Sequence, residues 1–269
     1  MEQEKLKRLK EILTDLGSLA VGFSGGVDST FLLSAAAEVL KDRVIAVTIA
    51  DPVVPRREVE EAEAFCRERG IRQIVTKTNT MAEDSFWKNP PDRCYHCKRR
   101  LFTEVIRIAK ENGIRYVAEA SNVDDLGDYR PGLKAVDELM VKSPLREAEL
   151  TKAEIRTLSK ELGLPTWNKP SFACLASRFV YGEEITEEKL RRIESAEQFL
   201  TDLGFIEERV RLHQNLARIE VPGKDIEKIA APEMRERIYE KFRELGFTYI
   251  TLDLKGYRTG SMNDVLLNA

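Results

Sequence analysis

Residues 19–34 constrain the fold more than any other stretch. A short apolar run, Leu19-Ala20-Val21-Gly22-Phe23, leads into Ser24-Gly25-Gly26-Val27-Asp28-Ser29-Thr30 and then into Phe31-Leu32-Leu33. A brief apolar run, a glycine pair and a helical pattern read as buried strand, tight loop and helix. Glycines let backbone approach a ligand without a Cβ clash. The helix start adds unpaired N–H groups and a partial positive charge. Ser24, Ser29 and Thr30 supply hydroxyl donors, so the loop suits a phosphate. Asp28 is the odd member, because a carboxylate repels phosphate; it makes sense with Mg²⁺ between them.

The alternation continues to about residue 180. A first helix carries Leu6, Leu9, Ile12, Leu13 and Leu16 at helical spacing. Strands are expected at 44–49, 73–76 and 116–119. Helices are expected at 55–69, closed by Gly70, and at 98–111, closed by Asn112-Gly113. Strands separated by helices mean a parallel sheet covered on both faces, with ligand loops at one edge. From residue 185 the pattern changes to a helix at 187–203 and strand-like runs at 207–212 and 217–221 around a turn at His213-Gln214-Asn215. A helix at 224–245, with Pro232 as a break point, and a strand at 249–254 follow. The chain therefore reads as α/β: residues 1–180 form a parallel sheet with helices on both faces, and 185–269 a small C-terminal α+β module for substrate binding or assembly. With 42% hydrophobic and 33% charged residues it is not a disordered chain. No run approaches the roughly 20 apolar residues of a membrane span, and the first residues are charged throughout. A soluble cytoplasmic protein is expected. Net charge −3 speaks against bulk recruitment of nucleic acid.

Four cysteines are too few for a disulfide scaffold; clustered in a cytosolic chain they point to metal or chemistry. Cys94 and Cys97 sit in Arg93-Cys94-Tyr95-His96-Cys97-Lys98, after Asn89-Pro90-Pro91, and Cys174 in Ser171-Phe172-Ala173-Cys174-Leu175-Ala176-Ser177-Arg178. Both segments are expected as loops beyond the sheet edge. Two thiolates at C-x₂-C plus a distant third suit a 4Fe-4S cluster with one iron open to exogenous sulfide. Arg93, Lys98 and Arg99 would favour the thiolates. Zinc with His96 or water, a redox dithiol and a structural role are the alternatives, although His96 would struggle to reach the same metal. Cys66 shares a helix face with Val59, Ala62 and Phe65 and reads as core, with a fourth ligand as the alternative. His213 is a turn residue without a role.

The Ser24–Ser29 loop lacks the Gly-Lys-Ser/Thr ending of kinase-type loops. It resembles the PP-loop of the ATP pyrophosphatase superfamily, which cleaves ATP between its α and β phosphates. An adenylated carboxylate has a good leaving group, which a nitrogen or sulfur nucleophile displaces. Further motifs are Glu119-Ala120-Ser121-Asn122-Val123-Asp124-Asp125, Asp128-Tyr129-Arg130-Pro131-Gly132, Ser143-Pro144-Leu145, Ala173 to Arg178, Arg209-Val210-Arg211 and Ala217-Arg218-Ile219-Glu220. With them the chain resembles, over nearly its whole length, the LarE family of ATP-dependent sulfur transferases. That resemblance implies adenylation of a pyridinium-3,5-biscarboxylate mononucleotide and conversion of its carboxylates to thiocarboxylates, toward the nickel-pincer nucleotide cofactor of lactate racemase.

The resemblance also implies residue roles. Ser24, Gly25, Gly26, Asp28, Ser29 and Thr30 would hold the pyrophosphate end of ATP, with Asp28 on Mg²⁺. Asn122, Asp125 and Arg130 would line the nucleotide and substrate cleft. Arg209 and Arg211 alternate on one strand face and would clamp the substrate phosphate; a solvated strand face is the alternative. Arg178 would face the cluster or AMP. Trp87 would stack on the pyridinium ring or pack within its loop. Glu197 matches a cleft position but also suits a surface charge. In single-cysteine members the cysteine matching Cys174 gives up its sulfur and ends as dehydroalanine. Cys94 and Cys97 depart from that pattern and resemble the cluster-bearing branch, in which the transferred sulfur is a sulfide on the free iron. ATP, Mg²⁺ and a 4Fe-4S cluster are the cofactors implied. A small nucleotide substrate and sulfide are the partners, in a homo-oligomer without membrane or nucleic acid. Rival readings are a tRNA thiolation enzyme, which usually needs a basic surface, an ammonia-using amide-forming ligase, which has no need of three loop cysteines, and a non-enzymatic nucleotide or metal sensor.

Overall fold

The structure is a computed structural model that describes residues 2–127, 131–170, 173–258 and 260–263. The chain packs as two units, Met1–Thr80 with Asp92–Phe172, and Met81–Pro91 with Ala173–Ala269. The first unit begins with α1 (Glu2–Leu16), β1 (Leu19–Gly22), α2 (Val27–Leu40), β2 (Val44–Ala50), α3 (Arg56–Arg69) and β3 (Gln73–Lys77). A short helix of the second unit, α4 (Asp84–Trp87), intervenes. The first unit resumes with α5 (Arg93–Glu111), β4 (Tyr116–Ala118), α6 (Gly132–Glu138), α7 (Pro144–Glu147) and α8 (Lys152–Glu161). The second continues with α9 (Glu187–Asp202), β5 (Arg209–His213), β6 (Leu216–Glu220), α10 (Ile226–Ala230), α11 (Pro232–Glu244) and β7 (Tyr249–Leu252). No helix among the described residues is long and apolar enough to cross a membrane.

In the first unit four parallel strands lie in the order β3-β2-β1-β4. Successive strand side chains point to opposite faces. Leu19, Val21, Val44, Ala46 and Ala118 enter one core with Leu9, Leu13, Phe31, Phe65 and Leu158. Ala20, Ile45, Val47 and Val117 enter the other with Phe102, Val105, Ile108 and Val136. Helices thus cover both faces, which is why these strands are apolar without alternation. β2 leaves β1 on one side and β4 returns on the other. The loops after β1 and β4 diverge there, and ligands of open α/β sheets bind at such a switch point.

In the second unit β5 pairs antiparallel with β6, and β7 parallel with β6. Val210, Leu212, Ala217 and Ile219 alternate with Arg209, Arg211, Arg218 and Glu220, giving one apolar and one charged sheet face.

Two details differ from the sequence expectation. Helix α5 starts at Arg93 rather than Lys98, so Cys94 and Cys97 lie on a helix and not in a loop. Asp92 serves as its N-cap, its carbonyl accepting from the Tyr95 N–H at 2.8 Å; the apolar period starts only at Phe102 because the first turns are polar. The boundary expected at 180–185 falls inside the second unit. Residues 81–91 join that unit through non-local bonds: Asn89 Nδ2 donates to the Val180 carbonyl at 2.6 Å, and the Trp87 carbonyl accepts from the Ile185 N–H at 2.8 Å. The expected break at Pro232 is present, between α10 and α11.

Candidate functional site

Four residues, 23–26, join β1 to α2. Gly25 has φ +69°, and a Cβ there would lie 3.3 Å from the Ala62 Cβ on α3. Glycine meets both demands. The N-cap of α2 is Gly26 and no side chain caps the helix, which leaves its first N–H groups open to an anion. The Ser24 and Ser29 hydroxyls lie 3.0 Å apart, and Ser29 Oγ donates to the Gly26 carbonyl at 3.2 Å. Thr30 Oγ1 is buried without a hydrogen-bond partner among the described residues.

Asp28 lies on the first turn of α2. Its Oδ2 accepts from Lys152 Nζ at 2.5 Å, while its Oδ1 is buried without a hydrogen-bond partner among the described residues. The loop after β4 is braced beside it: the Asn122 N–H donates to Asp125 Oδ2 at 2.9 Å, the Asp124 N–H to Asn122 Oδ1 at 3.0 Å, and the Lys152 N–H to Asp124 Oδ2 at 2.8 Å. Burial pushes the Asp28 carboxyl above its ordinary value; Lys152 pulls it back, Asp125 opposes Lys152, and the Asn122 amide favours the charged form. Asp28, Asn122 and Asp125 therefore meet, as the sequence suggested. An orphaned carboxylate oxygen near a second carboxylate is a donor set that suits Mg²⁺.

Sequence reasoning missed two lysines here. One is Lys152. The other, Lys169, donates to the Gly25 carbonyl at 3.2 Å, to Glu58 Oε2 at 2.8 Å and to Glu61 Oε2 at 2.6 Å, tying the loop to α3. At the end of β4, buried Glu119 accepts from Lys98 Nζ at 3.1 Å, Ser121 Oγ at 2.5 Å and Ser143 Oγ at 2.7 Å. Burial works against its charge, but Lys98 and the two hydroxyls hold the carboxyl below its ordinary value.

Cys94 and Cys97 stand three residues apart on α5 and so share a helix face. Cys94 is exposed, and Cys97 and Cys174 are half-buried. The first turn of α6 packs against the start of α5: a Cβ on Gly132 would lie 3.0 Å from Lys98 Cδ and 3.4 Å from the Cys94 carbonyl oxygen. His96 Nε2 lies 3.1 Å from Asp92 Oδ2. Cys66 is sealed in the core, where burial pushes its thiol up to about 12; it is no fourth ligand. Cys94 and Cys97 belong to the first unit and Cys174 to the second. Among the described residues, no group of three His, Cys, Asp or Glu side chains that could hold a metal is present.

In the second unit Cys174 precedes a short helical turn, Leu175–Arg178, that wraps its own last residue. Arg178 is fully buried. Its Nε and Nη2 donate to Glu197 at 2.8 and 2.9 Å, and its Nη1 to the Ala173 carbonyl at 2.8 Å, the Cys174 carbonyl at 3.3 Å and Ser177 Oγ at 2.8 Å. Glu197 Oε1 also accepts from the Val210 N–H at 2.9 Å. Burial opposes the charge on Glu197, but Arg178 holds its carboxyl well below the usual range. Glu197 is thus not the surface charge its helix position allowed. Arg209 and Arg211 share a face of β5, but that face is not solvated, since both are buried. Arg211 donates twice to Glu220 Oε2, at 3.0 and 2.8 Å, and to Ser261 Oγ at 3.2 Å; Arg209 lies 5.0 Å over the Tyr257 ring. Trp87 is half-buried, its Nε1 donating to Asp84 at 3.1 Å. Arg130 lies outside the described residues.

A family model described as a PP-loop domain matches residues 1–129. The pyridinium-3,5-bisthiocarboxylic acid mononucleotide synthase of Lactiplantibacillus plantarum is 38% identical over 98% of this chain and 96% of its own length. This chain belongs to the LarE family. An uncharacterized protein of Synechocystis sp. is 42% identical, covering 99% of each chain. One of Methanocaldococcus jannaschii is 30% identical over 95% of this chain and 98% of its own. The likeness to the Lactiplantibacillus plantarum synthase extends through both units.

Proposed function

We propose that this protein uses ATP to adenylate the carboxylates of a pyridinium-3,5-biscarboxylate mononucleotide and replaces an oxygen of each by sulfur, as an ATP-dependent sulfur transferase of nickel-pincer nucleotide biosynthesis. The observation that carries this reading is Asp28, its Oδ1 unpartnered, on the first turn of an uncapped helix, in a chain that matches a bisthiocarboxylate synthase end to end. The backbone at Gly25 and Gly26 and the hydroxyls of Ser24, Ser29 and Thr30 receive the β and γ phosphates. Asp28 holds Mg²⁺, with Asn122 and Asp125 on the nucleotide side of the cleft. A substrate carboxylate oxygen attacks the α phosphorus, and pyrophosphate departs with the electron pair of the broken bond. Arg209 and Arg211 bind the substrate phosphate, preset by their buried partners at little entropic cost. Trp87 offers an aromatic face to the pyridinium ring, and Arg130 is a further proposed substrate contact.

Cys94, Cys97 and Cys174 fit a 4Fe-4S cluster by donor chemistry: two thiols share one helix turn, a third heads its own turn, and the fourth cysteine is locked in the core. Those three thiols would hold the cluster, which when bound would present sulfide as the nucleophile that displaces AMP. Arg178 fixes the backbone at Ala173 and Cys174, and so acts as a positioning residue. Thiols kept unoxidised for this purpose suit a reducing cytoplasm.

The test is an anaerobic reaction with ATP, Mg²⁺, the biscarboxylate mononucleotide and sulfide, read by phosphorus NMR and product mass. AMP, pyrophosphate and a sulfur-containing product are expected; ADP, or a product without sulfur, overturns the reading.

A further inference from the structure

The backbone of Lys152 is fixed and its charge is not. Thr151 caps α8 in a reciprocal capping box with Glu154. The Lys152 N–H donates to Asp124 Oδ2 at 2.8 Å, and the Val123 N–H to the Leu150 carbonyl at 3.1 Å. These bonds anchor the start of α8 to the loop after β4. From that anchor a flexible four-carbon stem carries the ammonium to Asp28 Oδ2, 2.5 Å away. The side chain keeps 28% of its exposure, so its head is not locked in. As a mere counter-ion it would neutralise a half-buried carboxylate. Yet it does so beside the uncapped start of α2, with Asp28 Oδ1 and Thr30 Oγ1 left unpartnered. An ammonium there lies where docked phosphates and a divalent cation would gather.

We propose that Lys152 is a catalytic residue of ATP cleavage: its ammonium holds the cation position at Asp28 while nucleotide is absent, yields that carboxylate to Mg²⁺ when Mg²⁺–ATP docks, and then neutralises the departing pyrophosphate. For the reaction itself this rests on the adenylation reading given above. A carboxylate oxygen of the substrate donates a lone pair to the α phosphorus. The bond from that phosphorus to the α–β bridging oxygen breaks, and its electron pair stays with pyrophosphate. Lys152 keeps its proton and contributes charge only. A lysine suits this task because it meets phosphate as a mobile point charge, whereas arginine prefers a fixed fork geometry.

Two measurements on Lys152→Met and Lys152→Gln, with Lys152→Arg as the charge-retaining variant, decide it. The first is calorimetric binding of inorganic pyrophosphate with Mg²⁺. The neutral variants should bind it about tenfold more weakly, roughly the loss of one charge-assisted contact. They should also reach half-saturation at a lower Mg²⁺ concentration, because the competing ammonium is gone. Misfolding does not produce that opposed pair of shifts. The second is the single-turnover rate of AMP formation, which should fall about 100-fold, the scale of losing one group that stabilises developing negative charge. Lys152→Arg should recover part of both. Unchanged pyrophosphate affinity, or a raised Mg²⁺ requirement in the neutral variants, overturns the proposal. A wild-type protein that releases no pyrophosphate with the biscarboxylate mononucleotide overturns the adenylation reading instead, and the binding measurement still decides Lys152.

Discussion

Removing one member of the Arg178–Glu197 pair should cost more stability than removing both. Arg178 is fully buried and Glu197 is 4% exposed, so the figure of about 0–1 kcal/mol for solvated pairs does not apply. In Glu197→Leu the guanidinium stays buried without its counter-charge, at about 3–5 kcal/mol. The Val210 N–H loses its acceptor, which adds about 1–3 kcal/mol. Arg178→Met is the mirror case, stranding the carboxylate and freeing the Ala173 carbonyl. The double variant keeps the two orphaned backbone groups but drops the charge penalty, because an apolar pair replaces a buried ion pair at little cost. The charge penalty exceeds the price of one further orphaned carbonyl, so each single variant should unfold before the double. Urea unfolding supplies the order, and hydrogen exchange of α9 and β5 amides locates the loss in the second unit. Cys174 should also alkylate faster in the two variants that lose Arg178, since nothing then gathers the carbonyls of Ala173 and Cys174. Single variants that lose less than about 1 kcal/mol, as exposed pairs do, or a double variant less stable than both, would refute the reasoning.

Other outcomes follow from the same geometry. Burial holds the Asp28 carboxyl above its ordinary value, so Asp28 favours folding only where it is protonated, below about pH 3.9, and that contribution is lost as pH rises through the folded value. Asp28→Asn should therefore melt higher than the wild type at pH 7 and lose the advantage in acid, while forming AMP much more slowly; a lower melting temperature at pH 7 contradicts this. Anaerobic protein should carry about four irons per chain, the cubane stoichiometry; Ala at Cys94, Cys97 or Cys174 should remove most of the iron and Cys66→Ala should keep it. After turnover with sulfide, product should exceed enzyme and the intact polypeptide mass should not change. Chains lighter by one hydrogen sulfide at Cys174 would mean that the cysteine itself is the donor.

Local signals were legible and long-range pairings were not. The strand–loop–helix at 19–34 could be read because its cause is local: an apolar run, a glycine that adopts φ +69° and a helix start. The first turns of α5 were hidden because they carry polar residues and no apolar period. Helix α8 announced itself with Thr151 and Glu154 at capping-box spacing, a signal that could have placed Lys152 at a helix start. On β5 the alternation of Arg209 and Arg211 was visible, but alternate charges read by default as a solvent face. Arg211 is buried against Glu220 across a hairpin and Ser261, fifty residues away, and Arg209 against the Tyr257 ring. Glu197 looked like a helix surface charge for the same reason: its partner lies 19 residues upstream and outside the helix.

The phosphate loop shows why distance in sequence matters chemically. An uncapped helix start attracts anions, yet the chain sets Asp28 on its first turn and Glu58 and Glu61 on the helix behind the loop. Left alone, these carboxylates would repel ATP. Each is matched by a lysine from the last part of the same unit: Lys152 reaches Asp28 across 124 residues, and Lys169 reaches the Gly25 carbonyl across 144. The two lysines differ in what they permit. Lys169 is 13% exposed and holds Glu58, Glu61 and the loop backbone at once, so it fixes the shape of the loop. Lys152 is more exposed and holds one carboxylate oxygen, which is what the proposed exchange for a divalent cation requires. Under the proposed function, a site built this way has its repulsion cancelled before nucleotide arrives, and the ammonium with more exposure is the one opposite the carboxylate assigned to Mg²⁺.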